Sequence, residues 1–358
     1  MDEPSLQLTA ELRETVMKSL AQRRPLLHHL NADTTWLLQI PRPNVSRHSR
    51  RWYNVLIDPW LSGSQSDVAS WFSQQWHAFE SSVKTIKEVE TLARDIEHLS
   101  EQLQGSDRRS SIALARGDGD ETSVIDVVAI SHEFTDHCHK ETLLELNADV
   151  PIVATVKAAQ IIRGWKHFRN VLETPRFPST SADWRETSIS PLPAWLSIAR
   201  LVSAKDVLDY HSALMIAFAP NEEIDSRTVH AEAVIYTPHG INAADLSVVA
   251  AATPPIQTLA FLHGLHDIQI APGKQLNLGA HNGLQAQRLL DARYWISTHD
   301  EVKHGGGFVS WLLKRRTITL KEALDQEQAH DIEGKKVAKD WKDVRFVELR
   351  NGESAVLV

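Results

Sequence analysis

The stretch that most constrains this chain is a buried-strand pattern that runs, with no turn residue between, into a cluster of potential metal ligands. Val124-Ile125-Asp126-Val127-Val128-Ala129-Ile130 reads as a buried strand, and Ser131-His132-Glu133-Phe134-Thr135-Asp136-His137 follows at once. A strand fixes the base of the loop that leaves it while the tip stays accessible, so α/β sheets present reactive side chains at strand ends. Imidazole and carboxylate are the ligands that zinc and related borderline metals prefer. The single cysteine, Cys138, allows neither an intramolecular disulfide nor a CxxC site and reads as a small buried hydrophobe. Any metal centre must therefore draw on carboxylates and on the 18 histidines.

The remaining pattern is mixed. Thr34 to Ile40 and Trp52 to Ile57 read as neighbouring strands, the second stopped by Pro59 after Asp58. Further strands are expected at Pro151–Thr155, Trp195–Val202, Ala213–Phe218, Ala231–Tyr236, Gln257–Leu262 and Arg293–Ser297. Helices are expected at Val156–Phe168, His281–Leu290 and Gly307–Lys314, with Lys314-Arg315-Arg316 closing the last one. Residues 64–120 read as a helical insertion whose Trp71, Phe72, Trp76 and Phe79 form a face docking on the core. Val344–Leu349 and Ala355–Val358 read as a hairpin through Asn351-Gly352. Strands alternating with helices, without a tandem period, imply a layered α/β fold and exclude a solenoid.

Bulk properties narrow the function. A net charge of -8 argues against a chain whose task is to grip a phosphate backbone. No stretch approaches the roughly 18 apolar residues needed to cross a bilayer. Met1 to Leu30 reads as a polar helical arm carrying Leu12, Val16 and Leu20, not as a signal peptide. The expectation is a cytoplasmic protein with an arm over residues 1–33 and one α/β domain over 34–358. It has no nucleic-acid or membrane partner, and a homo-oligomer remains open.

The segment His132-Glu133-Phe134-Thr135-Asp136-His137 resembles the His-x-His-x-Asp-His signature of the metallo-β-lactamase superfamily, and other parts of that pattern follow in order. Asp58 in Ile57-Asp58-Pro59 resembles the early strand-end carboxylate that props the metal loop. His211 resembles the histidine of the third motif, and Tyr236-Thr237-Pro238-His239-Gly240 falls where the family has a turn bearing a bridging Asp. Tyr294 to Asp300 resembles the last strand, which delivers His299. The texture is closest to UlaG-like and fungal members, over about Thr34 to Arg316. The resemblance implies a four-layer αββα sandwich.

Two departures from that pattern matter chemically. Phe134 stands in place of a ligand histidine, and a phenyl ring has no lone pair to donate. His239 stands in place of a carboxylate that bridges two cations, and a neutral imidazole cannot bridge. The resemblance so corrected implies one divalent metal, with zinc first and manganese or iron as alternatives. Its ligands would be Asp136, His137 and His299, with His239 as the fourth and Asp58 as support. His132 and His211 would face a vacant first site as acid/base or positioning groups beside Asp136. Phe134, His263 and His281 are candidates to line the pocket, and Trp60, Phe261 and Trp295 to make its rim apolar.

The leading reading is a metal-dependent hydrolase, or a lyase or cyclase derived from one, acting on a small, largely apolar organic substrate. The alternative is a non-catalytic binding or scaffold protein that keeps the fold with a degenerate site. An iron-dependent oxygen-binding member ranks third.

Overall fold

Successive residues of the central strands point to different layers, and this is why the strands read as unbroken apolar runs. Trp36 and Leu38 join one buried cluster while Leu37 joins another; Val55 and Ile57 part from Leu56 in the same way, and Val127 and Ala129 from Val128 and Ile130. The computed structural model describes residues 13–14, 16–19, 21–43, 49–67, 71–103, 122–178, 183–203, 210–220, 230–270, 273–306, 313–334 and 344–358.

Two sheets carry the architecture. The first has seven strands in the order Ser354–Val356, Leu26–His29, Trp36–Pro41, Trp52–Ile57, Val127–Ile130, Ile152–Ala154 and Val171–Glu173. The second has six, in the order Phe346–Val347, Tyr294–Ile296, Ile256–His263, Ala231–Thr237, Ser212–Phe218 and Leu196–Val202. In each sheet antiparallel neighbours give way to parallel ones, at Trp52–Ile57 in the first and at Ala231–Thr237 in the second. Leu38, Val55 and Ile57 of the first sheet pack with Leu214, Ile216 and Val234 of the second in one core between them. The outer face of the first sheet is covered by helices Ile86–Leu103 and Val156–Gly164, through Val89, Ala93, Ala158 and Ile162. The outer face of the second is covered by helix Ala280–Leu290, through Leu284 and Ala286, and by Leu320 and Ala323 of helix Leu320–Gly334. The order helix, sheet, sheet, helix is the αββα sandwich expected from the sequence.

Four expectations are corrected. Residues 1–12 of the expected arm lie outside the described residues, and the helix described after them ends before Arg23, which takes a positive φ of 49°, with Pro25 following. Leu26–His29 then enters the sheet between Trp36–Pro41 and Ser354–Val356, so the boundary at residue 34 falls inside a strand pair. Trp71, Phe72, Trp76 and Phe79 do not lie on a helix. Gln74–Trp76 instead pairs with Ser64–Gln65 and with His304–Gly306, a partner remote in sequence, and Trp71 and Phe79 are exposed. The helical part of the insertion is Ile86–Leu103, and residues 104–120 lie outside the described residues.

Leu313–Arg316 is a strand paired with Asp267–Ile270, not the end of a helix, while residues 307–312 lie outside the described residues. At the C-terminus the turn at Asn351-Gly352 forms, with Gly352 at φ 87°. Its flanking strands do not pair with each other, because Phe346–Val347 extends the second sheet and Ser354–Val356 the first. The turn links the two sheets.

His28 reinforces the position of the N-terminal strand, with Nδ1 at 2.6 Å from Ser354 Oγ and Nε2 at 2.9 Å from Gln39 Oε1. Removing residues 1–30 should therefore expose the strand Trp36–Pro41 and abolish cooperative unfolding in denaturant. A truncated chain that unfolds at the full-length midpoint would return this segment to a dispensable arm.

Candidate metal centre

Every element that supplies the site ends at the same edge of the sandwich. Trp52–Ile57 and Val127–Ile130 run parallel, with Ile57 opposite Ala129, so Asp58 and Ser131 leave neighbouring strands side by side. Asp58 holds a left-handed backbone, φ 42°, which turns its carboxylate under the next loop. That carboxylate accepts the Ser131 backbone N–H at 2.7 Å, a short hydrogen bond from the Ser131 hydroxyl, and the His137 Nδ1–H at 2.7 Å. A carboxylate can only accept there, so His137 carries its proton on Nδ1 and presents an unprotonated Nε2 to the site. The loop tip is held too, by Asp67 Oδ1 accepting the Thr135 N–H at 2.9 Å.

A second support mirrors the first. Asp33, between strands Leu26–His29 and Trp36–Pro41, accepts the His299 Nδ1–H at 3.0 Å on Oδ1, and its carbonyl accepts the His299 N–H at 3.0 Å. His299 thus also turns Nε2 inward, from a backbone at φ 58° after strand Tyr294–Ile296. His239 follows strand Ala231–Thr237, and its Nε2 lies 3.3 Å from His137 Nε2. Two nitrogens each about 2.0–2.1 Å from one tetrahedral zinc ion lie about 3.3–3.4 Å apart, so this spacing suits a shared cation. His239 Nδ1 is buried without a hydrogen-bond partner. Asp136 completes the set, with Oδ1 3.6 Å from His137 Nε2 and Oδ2 3.9 Å from His299 Nε2. The chemistry of these donors fits a borderline divalent metal.

Among the described residues two groups have ligand atoms within 4.8 Å of one another, Asp136/His137/His299 and His132/His137/His239, with His137 in both. His132 is the less available member. Its Nε2–H is donated to the Tyr210 carbonyl at 2.8 Å, and its Nδ1 lies 3.0 Å from Ser131 Oγ. The side expected to be a vacant first site is instead walled by rings. Tyr210 stacks on His239 with centroids 4.4 Å apart, and Phe134 meets Tyr210 at 5.5 Å and His239 at 5.9 Å. His211, half-buried beside Tyr210 with centroids 5.2 Å apart, belongs to neither group.

Electrostatics follow from burial and these contacts. Burial pushes the His132 and His239 imidazoles well below the ordinary histidine value, and neighbouring imidazoles push them further. Burial also lowers His299, against the pull of Asp33. Burial alone would lower His137, but Asp136 and Asp58 outweigh it and raise the value. Burial would raise Asp136, but Lys303, His137 and His299 reverse this and hold it well below the ordinary carboxylate range.

Lys303 and Asp33 are the groups that sequence reasoning missed. Lys303 Nζ lies 2.8 Å from Asp136 Oδ2 and 2.7 Å from Asp33 Oδ2, with all three side chains buried. No periodicity marks a lysine four residues past His299, though Asp33 sits at a polar turn between two strands, where a supporting acid could have been sought.

Other candidates lie elsewhere. His263 sits under helix Ala280–Leu290, its Nδ1 at 2.6 Å from the Gly264 carbonyl and its Nε2 at 3.1 Å from Asn282 Nδ2. His281, on that helix, belongs to neither ligand group. Phe261 and Trp295 pack in the helix-facing core and not at a rim, because their strand alternation turns them outward. Trp60 is buried near the centre, with Lys303 Nζ 5.3 Å from its ring.

No protein-family model and no curated protein matches the sequence. Solved structures do resemble it. A possible metal-dependent hydrolase from Veillonella parvula superposes with a TM-score of 0.51 at 11% identity, over 93% of this chain and 100% of that one. An isothiocyanate hydrolase from Delia radicum gut bacteria gives a TM-score of 0.49 at 13% identity, over 93% and 100%. The metallo-β-lactamase fold protein YhfI from Bacillus subtilis gives 0.42 at 9% identity, over 92% and 98%. The layer order and the strand-end His/Asp cluster define the fold as that of metallo-β-lactamase-type proteins. The likeness reaches the fold and not the substrate.

Because Asp58 fixes both the loop and the His137 tautomer, Asp58→Ala should weaken metal affinity about 10–100-fold, read by competition with a chromogenic chelator. An unchanged affinity would mean that Asp58 only supports the fold.

Proposed function

We infer that this chain is a metal-dependent hydrolase-type enzyme that uses one cation, held by Asp136, His137, His239 and His299, on a small and largely apolar organic substrate. The 3.3 Å approach of the inward nitrogens of His137 and His239 carries the reading. Asp58 and Asp33 support it by presetting the tautomers of two of the three imidazoles. Zinc suits three nitrogens and one carboxylate oxygen, and manganese or iron are the alternatives.

A cation so held supplies Lewis-acid polarisation of an ester or carbonyl oxygen. The chain supplies the rest. Phe134 and Tyr210 form an aromatic wall beside the donors, suited to a small apolar group. His132, with one ring nitrogen on the Tyr210 carbonyl and the other at Ser131 Oγ, holds that wall in place. Half-buried His211, beside the Tyr210 ring that stacks on His239, is the group to position the substrate or move a proton. No helix among the described residues is long and apolar enough to cross a membrane.

One observation favours the alternative of a scaffold with an idle site. Lys303 already neutralises Asp136, so the cluster is partly balanced without any metal. Elemental analysis of untagged protein separates the two readings. The enzyme reading expects about one equivalent per chain, lost in both His137→Ala and Asp136→Ala, together with metal-dependent turnover in a panel of small apolar esters, thioesters and lactones. Absence of bound metal, with thermal stability unmoved by Zn²⁺, Mn²⁺ or Fe²⁺, would establish the scaffold instead, since a ligand of the native state must raise its stability.

A further inference from the structure

Two neighbouring residues of the metal loop, Thr135 and Asp136, are gripped by a small sheet that belongs to neither layer of the sandwich. Its strands are Ser64–Gln65, Gln74–Trp76 and His304–Gly306, with Gln74–Trp76 in the centre. From one edge, Gln65 Oε1 accepts the Thr135 hydroxyl at 2.6 Å, beside the contact of Asp67 with the Thr135 N–H. From the other edge, the residue before His304 places its ammonium, Lys303 Nζ, 2.8 Å from Asp136 Oδ2. Side chains tie the two arms together. Gln65 donates its Nε2–H to Gln75 Oε1 on the central strand at 2.8 Å. Just past that strand, Glu301 accepts the His77 Nδ1–H at 2.7 Å and the backbone N–H groups of Ala78 and Phe79 at 2.8 and 3.1 Å. His77 is fixed in turn by stacking on Trp60, with centroids 3.8 Å apart. The contacts close into a ring that leaves the metal loop at Thr135 and returns to it at Asp136.

Covering the core does not explain this sheet, because its sidedness is reversed. Gln65, Glu301 and the Lys303 side chain are buried, whereas Trp76 and Val302 are exposed. A segment that only closed the core would gain most by turning Trp76 and Val302 inward. Buried polar groups cost free energy unless each finds a partner. Here they find partners on the loop that carries Asp136 and on one another. Holding a ligand in place is a sufficient reason for that arrangement, since a ligating carboxylate binds well only when its neighbours fix its direction.

We propose that this sheet is a bracket that positions Asp136 for the cation, with Gln65 and Glu301 as the positioning residues of its two arms. Gln65 acts through Thr135, and Glu301 through His77 and the end of the central strand. The cation itself rests on the one-metal reading above; the grip on the loop needs no metal. The insertion after Trp60 thereby acquires a role as part of the metal centre's frame.

The test pairs two readouts. Hydrogen exchange of the peptide from Ser131 to Cys138, measured on metal-free protein, reads the grip, and competition with a chromogenic chelator reads zinc affinity. Glu301→Gln keeps the shape but loses an acceptor, and Gln65→Met loses both of its contacts. Each should speed exchange of the loop peptide about tenfold through easier local opening. Each should also weaken zinc binding about 10–100-fold. Because the arms form one ring, the double variant should be no worse than the more severe single one. Ile198→Val, in the core between the large sheets, destabilises the fold away from the bracket and should leave both readouts at wild-type values. If Glu301→Gln does not fold, Gln75→Met, which cuts the ring between its arms, takes its place with the same expectations. Unchanged loop exchange in Glu301→Gln or its replacement, or losses that multiply in the double variant, overturns the bracket. Faster exchange with wild-type zinc affinity overturns the positioning role. A wild type that takes up no zinc refutes the metal-enzyme reading instead, and faster loop exchange in the variants would then still show the grip on Asp136.

Discussion

The hydrogen bonds made by the Asp58 carboxylate organise this end of the sandwich. The backbone and hydroxyl of Ser131 and the Nδ1–H of His137 converge on it, and they join two parallel strands to the loop that leaves one of them. Asp58 is fully buried, so its acceptor capacity has to be met by protein, and the left-handed backbone at that position is how the chain meets it. Without this anchor the loop from Ser131 to His137 would have no fixed origin, and neither would the inward nitrogen of His137.

Asp33 repeats the device from the other side. It sits in the turn between two strands of the first sheet, yet it holds His299, which follows a strand of the second. The two sheets are also stitched at this edge by Trp36 Nε1 donating to Thr298 Oγ1 at 2.9 Å, while Thr34 Oγ1 donating to the Asp136 carbonyl at 2.8 Å ties the metal loop to its own sheet. The donor set therefore spans the interface between the sheets, and the core formed by Leu38, Ile57, Leu214 and Val234 sets its spacing. Fold and site are coupled in this way: a one-residue slip in the register of strand Ala231–Thr237 would turn its side chains to the opposite face and also carry His239 away from His137.

Much of the scaffold was legible because its strands are local and strongly patterned. The segments over 52–57, 127–130, 212–218 and 231–237 are apolar on both faces and have short, clear ends. Pairing was harder to read, since it depends on partners distant in the chain. Leu26–His29 looked like the tail of a helix until Ser354–Val356 joined it, and the aromatic run from Trp71 to Phe79 looked helical until His304–Gly306 paired with part of it. In the site, histidines and Asp136 stood out by type and by their resemblance to a known motif. Lys303 did not, because a lone lysine in a loop carries no signal until its ammonium is seen between two buried acids. Phe261 and Trp295 were misplaced because composition cannot say which face of a strand turns toward a helix.

A crystal soaked in Zn²⁺ and measured at the zinc absorption edge tests the central claim most directly. One anomalous peak per chain is expected, about 2.0–2.1 Å from the Nε2 atoms of His137, His239 and His299, with an Asp136 oxygen as the fourth neighbour. Two peaks sharing Asp136, or a single peak held by His132 and not by His299, would contradict the account.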